Sequence, residues 1–475
     1  MKTKIVATVG PASSSKETLK KMILAGVNVF RLNFSHGEYH EHLKIIKNIK
    51  ELNKELNTHI AMLADLQGPK IRIGQVKNNG INLKKNQEII FTTDENNKDD
   101  NKIFINYKHF PKDVKPKEKI LVNDGKILFE IISTDRKKIV KAKVLVEGIL
   151  SSRKGVNLPN TAISLPCLTE KDFKDIEFIV KNKFQWIGLS FVRSASDIIE
   201  LKQTIEKYKI EKHPLIIAKI EKSEALKDID NIIKESDALM VARGDLGVEI
   251  PLEQLPLIQK MIVKKCLKAS KPTIIATQMM EGMITNIIPS RAEVNDVANS
   301  VLDGADALML SGETSVGQFP VEVVKTMKKI IDNIESYTDI YYKHYVPQQI
   351  IHEERFISDS ILYNACELAQ QSNAKAIIAM TYSGYSAYKI SSQRPKSKIY
   401  IFTNNHSLLS KLNLVWGVEG FYYNKFISTD NTIEDIKKKL QLEKKIEKGD
   451  LVINVASTPI KKLGRTNMLK LSYVD

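Results

Sequence analysis

The chain has 475 residues, 43% apolar and 27% charged, a composition that fits about three ordinary globular domains with cores large enough to need no disulfide or metal staple. Its cysteines, Cys167, Cys266 and Cys366, lie far apart without CxxC spacing, which argues against a secreted disulfide framework and a structural zinc site. No run of about 18 apolar residues is present, and Met1–Gly10 lacks a signal peptide's layout, so a cytoplasmic protein without a membrane partner is expected. The net charge of +16 invites a nucleic-acid reading, but the lysines are spread along helical segments such as 43–56 and 437–448. A solvated basic face, which would still gather small anions, is the better reading, with no nucleic-acid partner.

The N-terminal third alternates strands and helices. Lys4–Gly10, Val27–Ser35 and Ile60–Gln67 read as buried strands. Lys16–Gly26 and Tyr39–Leu56 read as helices, the second with Leu43, Ile46, Ile49 and Leu52 on one face. From about Gly68 the pattern becomes β-rich, with strands at Glu88–Thr92, Lys119–Val122, Ile127–Ile132 and Ile139–Val146. Turn clusters at 78–80, 94–101 and 123–125 separate them, which suggests a small all-β insert. Alternation resumes with strands at Trp186–Val192, Leu215–Glu221, Ala238–Asp245, Thr273–Met279 and Ala305–Glu313. Helices begin near Thr169, Ser194, Ser223, Leu252, Ser290 and Pro320. Eight strand–helix units predict an α/β fold of the (β/α)8 TIM-barrel class, spanning 1–67 and 166–336, with the inserted lid at 68–165. An open doubly wound sheet is the structural alternative. Five further strands between Ala376 and Val474 predict a separate C-terminal α/β domain at 337–475.

Chemistry in such barrels sits at the carboxyl ends of the strands. Here those ends carry Arg31, Asn33, Ser35 and His36, then Asp65, Lys219 with Glu221, Arg243 with Asp245, Thr277, and Ser311 with Glu313. Lys219 and Glu221, two apart on a strand, share a face. Any one could belong to a structural ion pair, but charged groups ending most of the strands favour a shared polar site. Glu221 and Asp245 suit Mg2+, with Mn2+ as the alternative, better than zinc. Arg31, Lys219 and Arg72 are cations able to grip phosphate or neutralise an oxyanion. Neither a Ser–His–Asp nor a Cys–His arrangement emerges, and there is no GxxxxGKS/T or GxGxxG, so any nucleotide is held by other means.

The stretches KIVATVGPAS (4–13), RLNFSHG (31–37), DLQGPKIRIG (65–74), GVNLP (155–159), AKIEKSEA (218–225), ARGDLGVEIP (242–251), ATQMMEGM (276–283) and the long run at 290–314 resemble, in content and order, the motifs of pyruvate kinases. The resemblance covers essentially the whole chain. It implies a barrel with an inserted β-lid and an α/β regulatory domain, and phosphoryl transfer from phosphoenolpyruvate to ADP, giving pyruvate and ATP. It implies Glu221 and Asp245 as ligands of the divalent metal. Phosphoenolpyruvate would contact Arg31, Lys219, Gly244, Asp245 and Thr277, and the nucleotide phosphates Asn33, His36, Arg72 and Lys154. Lys219 would neutralise charge during transfer, and Thr277 and Ser311 would orient the water that protonates the enolate. For Ser311, ordinary strand-end hydrogen bonding is an equal alternative. A homotetrameric assembly is also implied.

Two departures carry expectations of their own. Many family members read DTKGPEIR where this chain has Asp65–Arg72 as DLQGPKIR. The glutamate form holds potassium at positions matching Asn33, Ser35, Asp65 and the carbonyl of Leu66. Lys70 replaces the glutamate and is expected to supply a fixed charge near Asp65, making K+ unnecessary. In the C-terminal domain the hydroxyl-rich turn with Thr381, Ser383 and Ser386 matches the family's effector loop, although helix capping by Ser383 and Ser386 would also explain it. The closing segment 457–471 lacks the glycine-rich pattern of fructose-bisphosphate-activated members, so a sugar phosphate and a nucleotide both stay open as activators. The additional C-terminal phosphohistidine-type domain of some members is not expected. The rival readings are another metal-dependent barrel enzyme acting on enolpyruvate, and a non-catalytic metabolite sensor. The first would need neither lid nor Lys154, and the second would be expected to lose Lys219, Glu221 or Asp245.

Overall fold

The computed structural model describes residues 1–475 except 77–79, 98, 100–101, 160, 162, 211, 338–339, 348–354, 426–427 and 461–463. Eight short apolar strands close into a parallel barrel in chain order: β1 (Lys4–Thr8), β2 (Val29–Asn33), β3 (Ala61–Asp65), β4 (Trp186–Leu189), β5 (Leu215–Ile220), β6 (Ala238–Ala242), β7 (Thr273–Ala276) and β8 (Ala307–Leu310). Both faces of these strands are covered, which is why they read as continuous apolar runs rather than alternating ones. Val6, Val29, Leu63, Trp186, Ile217, Met240, Ile274 and Met309 fill the interior, and the outer face packs on the helices.

Several strands stop earlier than the sequence suggests, and this reshapes the barrel mouth. β6 ends at Ala242, and Arg243–Glu249 forms a short helix, so Asp245 lies in a helical first turn rather than on a strand. β7 ends at Ala276, and Thr277 and Gln278 turn away with φ of 70° and 55°. β8 ends at Leu310, and Glu313 sits in the single helical turn Gly312–Ser315. In the helix Tyr39–Glu55 the buried stripe is His42, Ile45, Ile46, Ile49 and Leu52. Leu43 falls about 100° off that stripe and is 47% exposed, so His42 takes the core position expected of Leu43.

The insert contains a six-stranded sheet in the order Val156–Asn157, Lys119–Val122, Ile127–Thr134, Ile139–Val146, Glu88–Thr92, Lys102–Phe104, and a separate two-stranded ribbon of Gly80–Leu83 with Gly148–Ser151. A one-turn helix, Phe110–Asp113, interrupts what was expected to be purely β. Asn78 and Asn79 of the first expected turn, and Lys98, Asp100 and Asn101 of the second, lie outside the described residues. At the third turn Asn123, Asp124 and Gly125 all have positive φ, as residues of these types tolerate best.

The C-terminal domain is a five-stranded sheet, ordered Val418–Tyr422, Lys398–Thr403, Ala376–Met380, Leu451–Ala456, Met468–Tyr473, with only the last strand antiparallel. It docks on the amino ends of the barrel strands, opposite the polar mouth. Leu414 packs among the interior barrel residues, and Arg394 ion-pairs with Asp306 just before β8 at 2.9 Å. Lys2, just before β1, donates from Nζ to the carbonyls of Pro395 and Ser397 at 2.8 and 2.7 Å and lies 4.9 Å from the Trp416 ring centroid. Among the described residues no helix is long and apolar enough to cross a membrane.

Burial, reinforced by Lys398, lowers the Lys2 pKa to about 7, below the unfolded value of 10.5. The folded chain therefore binds fewer protons than the unfolded chain between these values. The Lys2 contribution is fully present above the unfolded pKa and is lost as pH falls to about 7. Urea unfolding at several pH values from neutral upward is expected to show wild-type stability rising relative to Lys2→Met, and a constant difference between the two would contradict this.

Candidate active site

The mouth is organised around a buried ammonium. Lys219, at the end of β5, directs Nζ to Asp65 Oδ1 at 3.0 Å, Glu221 Oε1 at 2.9 Å and Ser190 Oγ at 2.8 Å. An ammonium has three donors, so these contacts satisfy it. Gly188 lies across from Asp65 in β4, and a Cβ there would sit 3.4 Å from Asp65 Oδ1 and 3.6 Å from Lys219 Cδ. The glycine leaves the pair room to meet. Arg31 Nε takes the other Asp65 oxygen at 2.6 Å, and its NH1 donates to Thr8 Oγ1 at 3.0 Å.

The electrostatics follow from this packing. Burial opposes the charge on Lys219, but Asp65 and Glu221 outweigh it, and the pKa lies above that of an ordinary lysine. Burial would also raise the Asp65 carboxyl, but Lys219 and Arg31 hold it below the usual carboxylate range. Glu221 differs: burial raises it, Lys219 only partly offsets this, and Asp245 and Asp65 push it further up.

Two backbone features hold the site in shape. Glu221 Oε2 accepts the N–H of Phe191 at 2.7 Å, and Phe191 has φ of 56°. Thr277 Oγ1 accepts the N–H of Gly244 at 2.7 Å and donates to the carbonyl of Ala276 at 2.5 Å. A β-branched residue with φ of 70° is a strained position, of the kind that costs about 1–3 kcal/mol and clusters at functional sites. Thr277 thus anchors the start of the helix that carries Asp245.

The candidates divide accordingly. Arg31, Asp65, Lys219 and Glu221 form one bonded network, and Thr277 holds the Gly244 N–H next to Asp245. Arg243 belongs elsewhere: it forks onto both Asp296 oxygens at 2.6 Å and donates to the carbonyl of Thr277 at 2.7 Å, acting as a brace. Glu313 is likewise a brace, accepting the backbone N–H of Met280 at 3.1 Å and of Ser311 at 2.7 Å. Asn33, Ser35 and His36 form a tight turn beyond β2, in which Asn33 Oδ1 accepts the N–H of Ser35 at 3.1 Å. Arg72 and Lys154 come from the lid, where Arg72 bridges Gly155 and donates to the carbonyl of Arg153 at 3.2 Å.

Lys70 is displaced from its expected position. Both Asp65 oxygens are taken by Arg31 and Lys219, and Lys70 Nζ instead stands 3.8 Å from Asp245 Oδ1 and 5.9 Å from the Phe191 ring centroid. The carbonyl of Leu66 accepts Ser190 Oγ at 2.7 Å.

In the C-terminal domain, Thr381, Ser383 and Ser386 line a cavity of about 720 Å³ together with Arg355, Arg465 and Thr466. The helix Tyr385–Ser392 has Gly384 at its N-cap, and Ser383 Oγ accepts the N–H of Tyr385 at 3.4 Å, so the capping reading holds for Ser383 and not for Ser386. Ser386 instead meets Thr466 Oγ1 at 2.9 Å, tying the turn to the closing segment.

Sequence reasoning missed Ser190, Phe191, Lys222 and Glu249. Lys222 Nζ and Asn157 Nδ2 both bind Glu249 Oε1, at 2.7 and 3.0 Å, and so link lid to barrel. Lys222 directly follows Glu221, and Asn157 lies within GVNLP, but nothing in their spacing identifies a shared partner.

The fit to a divalent cation rests on the donor set. Among the described residues no group of three or more His, Cys, Asp or Glu side chains could hold a metal. Glu221 and Asp245 offer hard oxygens, and a cation between them would favour the charged form of Glu221, which burial first and then Asp245 disfavour. Two carboxylates with substrate and water oxygens suit Mg2+ or Mn2+.

Replacing Lys219 by Met leaves Asp65 and Glu221 buried without their shared cation, a loss that typically costs about 3–5 kcal/mol. Denaturant unfolding is expected to show a loss of this order for Lys219→Met, partly recovered on adding Glu221→Gln.

Comparison with known proteins agrees with this geometry. The family model for pyruvate kinase, barrel domain, matches residues 1–324, and that for pyruvate kinase, alpha/beta domain, matches 359–472. A pyruvate kinase of Geobacillus stearothermophilus is 40% identical over 100% of this chain and 80% of its own length. One from Clostridium acetobutylicum is 39% identical, with 100% of both chains covered. The crystal structure of a pyruvate kinase from Cryptosporidium parvum aligns with a TM-score of 0.93 and 34% identity, covering 100% of this chain and 96% of that one. With its barrel, its C-terminal sheet and its full length matched, the chain belongs to the pyruvate kinase family of enzymes.

Proposed function

We propose that the barrel mouth transfers the phosphoryl group of phosphoenolpyruvate to ADP, giving pyruvate and ATP. The observation that carries the reading is the buried Lys219 ammonium, held by two carboxylates and flanked by Arg31. Phosphoryl transfer asks for positioning and charge neutralisation rather than a covalent intermediate. Lys219 and Arg31 supply fixed positive charge where the phosphoryl oxygens and the enolate build negative charge, and burial strengthens that effect. Glu221 and Asp245 would hold the divalent cation, which supplies further neutralisation of the phosphate oxygens when bound. Asn33 and His36 on the β2 turn, with Arg72 and Lys154 from the lid, would meet the nucleotide phosphates. The Thr277 hydroxyl is committed to Gly244 and Ala276, so its main contribution is to place the Gly244–Asp245 backbone against substrate.

A coupled assay for ADP-dependent pyruvate formation tests the reading, with Lys219→Met expected to lower kcat by about 10²–10³. Absence of ADP dependence would favour another enolpyruvate enzyme, and absence of any activity a metabolite sensor.

Mg2+ is the proposed ion, with Mn2+ as a substitute. Glu221→Gln and Asp245→Asn each remove one charged oxygen from a two-carboxylate site, so both variants are expected to need more metal for half-maximal activity. Unchanged metal titrations in both would overturn the assignment.

Potassium independence is supported by a different arrangement from the one the sequence suggested. Lys70 puts its charge beside Asp245, while the oxygens of Asn33, Asp65 and the Leu66 carbonyl already accept donors from the protein. At an effective dielectric near 20, unit charges about 4 Å apart interact by roughly 4 kcal/mol, enough for a lysine to stand in for a bound ion. Near-full activity is expected in buffer whose only monovalent cation is a bulky organic one, and a potassium requirement in Lys70→Glu. A many-fold rise of wild-type activity on adding KCl, beyond an ionic-strength control, would refute the substitution.

Two regulatory features belong to the same reading. The cavity at Thr381, Ser383 and Ser386, with Arg355 and Arg465 in its lining, suits an anionic activator, either a sugar phosphate or a nucleotide. Leu252, Leu257, Ile287 and Ile288 are 68%, 70%, 56% and 74% exposed, an apolar surface that supports association of copies into a homotetramer.

A further inference from the structure

The helix Glu170–Lys181 receives the chain as it returns from the lid, and its first two turns reach three separate parts of the molecule. Asp172, fully buried, accepts the backbone N–H of Thr169 at 2.8 Å and its hydroxyl at 2.6 Å, while its other oxygen accepts the N–H of Gly68 at 3.2 Å, where the chain leaves the barrel. One turn on, Asp175, also fully buried, accepts the Tyr39 hydroxyl at 2.7 Å and Lys171 Nζ at 2.7 Å. Lys171 Nζ then donates across 137 residues of sequence to the carbonyl of Phe34 at 2.6 Å.

Phe34 lies in the middle of the turn that carries Asn33, Ser35 and His36. Its N–H donates to the carbonyl of Asp65 at 3.0 Å, and its ring stacks on His42 with centroids 4.7 Å apart. The ring and N–H fix where the residue sits, but neither fixes the peptide plane that follows it. That plane carries the Ser35 N–H, which donates to Asn33 Oδ1 and so sets the side chain of Asn33. Lys171 holds the carbonyl end of the same plane.

We propose that Lys171 is a positioning residue for the nucleotide-phosphate turn, with the buried Asp175, itself held by the Tyr39 hydroxyl, as the support that aims its ammonium at the Phe34 carbonyl. A Lys–Asp pair spaced i,i+4 on a helix is ordinary, and by itself it contributes little. Three features separate this one from a surface pair. Its carboxylate is buried, that carboxylate is shared with a hydroxyl from another helix, and the ammonium has a backbone acceptor in the candidate site. Lys171 touches neither substrate in this scheme and acts through the turn. The inference rests on the reading of Asn33 and His36 as nucleotide contacts.

Steady-state kinetics of Lys171→Met, Lys171→Arg and His36→Ala, with ADP and phosphoenolpyruvate varied in turn, test it. Small displacements of positioning groups are felt strongly, so Lys171→Met is expected to raise the KM for ADP about fivefold or more, with the KM for phosphoenolpyruvate within about twofold of wild type. Lys171→Arg, which keeps the charge and can reach both acceptors, is expected to recover most of the loss. Tyr39→Phe, which removes one support of Asp175, is expected to shift the KM for ADP in the same direction by less, and it carries the test if Lys171→Met does not fold. An unchanged KM for ADP in Lys171→Met beside a raised one in His36→Ala would overturn the positioning role and leave the nucleotide reading standing. A selective rise in Lys171→Met with none in His36→Ala would support the positioning role and remove His36 from the nucleotide contacts. Equal rises in both KM values with a lower melting temperature would make Lys171 merely structural and overturn the proposal.

Discussion

The barrel mouth depends on one buried ammonium. Lys219 lies between Asp65 and Glu221, both almost wholly buried, and without it two carboxylates would face each other in a low-dielectric interior. Arg31 makes the balance complete, so the inner set has two cations and two anions. Outside it, Lys70 stands against Asp245 as a second, more exposed pair. A neutral inner network is stable without ligand, yet its cations are fixed in place and need no reorganisation when anionic oxygens arrive. That is the condition under which electrostatic stabilisation is most effective.

Holding those charges requires an unusual backbone. Phe191 and Thr277 both have left-handed φ immediately beyond barrel strands, and each donates or accepts a hydrogen bond that fixes a charged partner. Phe191 presents its N–H to Glu221, and Thr277 Oγ1 receives the Gly244 N–H in the first turn of the helix that bears Asp245. The barrel tolerates this because the eight strands below are paired on both sides and almost wholly buried, so the strain is confined to the rim. Residues such as Arg243 and Glu313, polar and near the mouth, are used to hold that rim in place.

The lid is attached at more than its two hinges. Glu249 binds Lys222 of the barrel and Asn157 of the lid, Lys70 reaches Asp245, and Asp172 collects both the outgoing and the returning chain. The C-terminal domain is fixed at the opposite end through Arg394, Lys2 and Leu414. The polar mouth and the C-terminal domain therefore lie at opposite ends of the barrel strands.

The alternation of apolar runs and amphipathic segments marked a parallel sheet covered on both faces, and the count of eight units favoured a barrel over an open doubly wound sheet, but closure itself was decided by the pairing of β1 with β8. The types of the residues at the strand ends also marked the mouth, since Arg31, Asp65, Lys219 and Glu221 would be costly in any other setting. Partner choice was decided only by the tertiary structure. Arg243 and Asp245 were both expected at the end of one strand, but β6 stops at Ala242 and a helical turn sends them to different partners, Asp296 and Lys70. Lys70 was expected near Asp65 because it replaces the glutamate of the potassium-binding form, but Asp65 is saturated by Arg31 and Lys219, neither of which is close to it along the chain. His42 displaced Leu43 from the core because a helix turns about 100° per residue, and the contacts of the Phe34 ring fixed which face pointed inward. Local sequence encodes period and residue chemistry, whereas a charged group's partner is set by long-range competition among all the groups that the fold brings within reach.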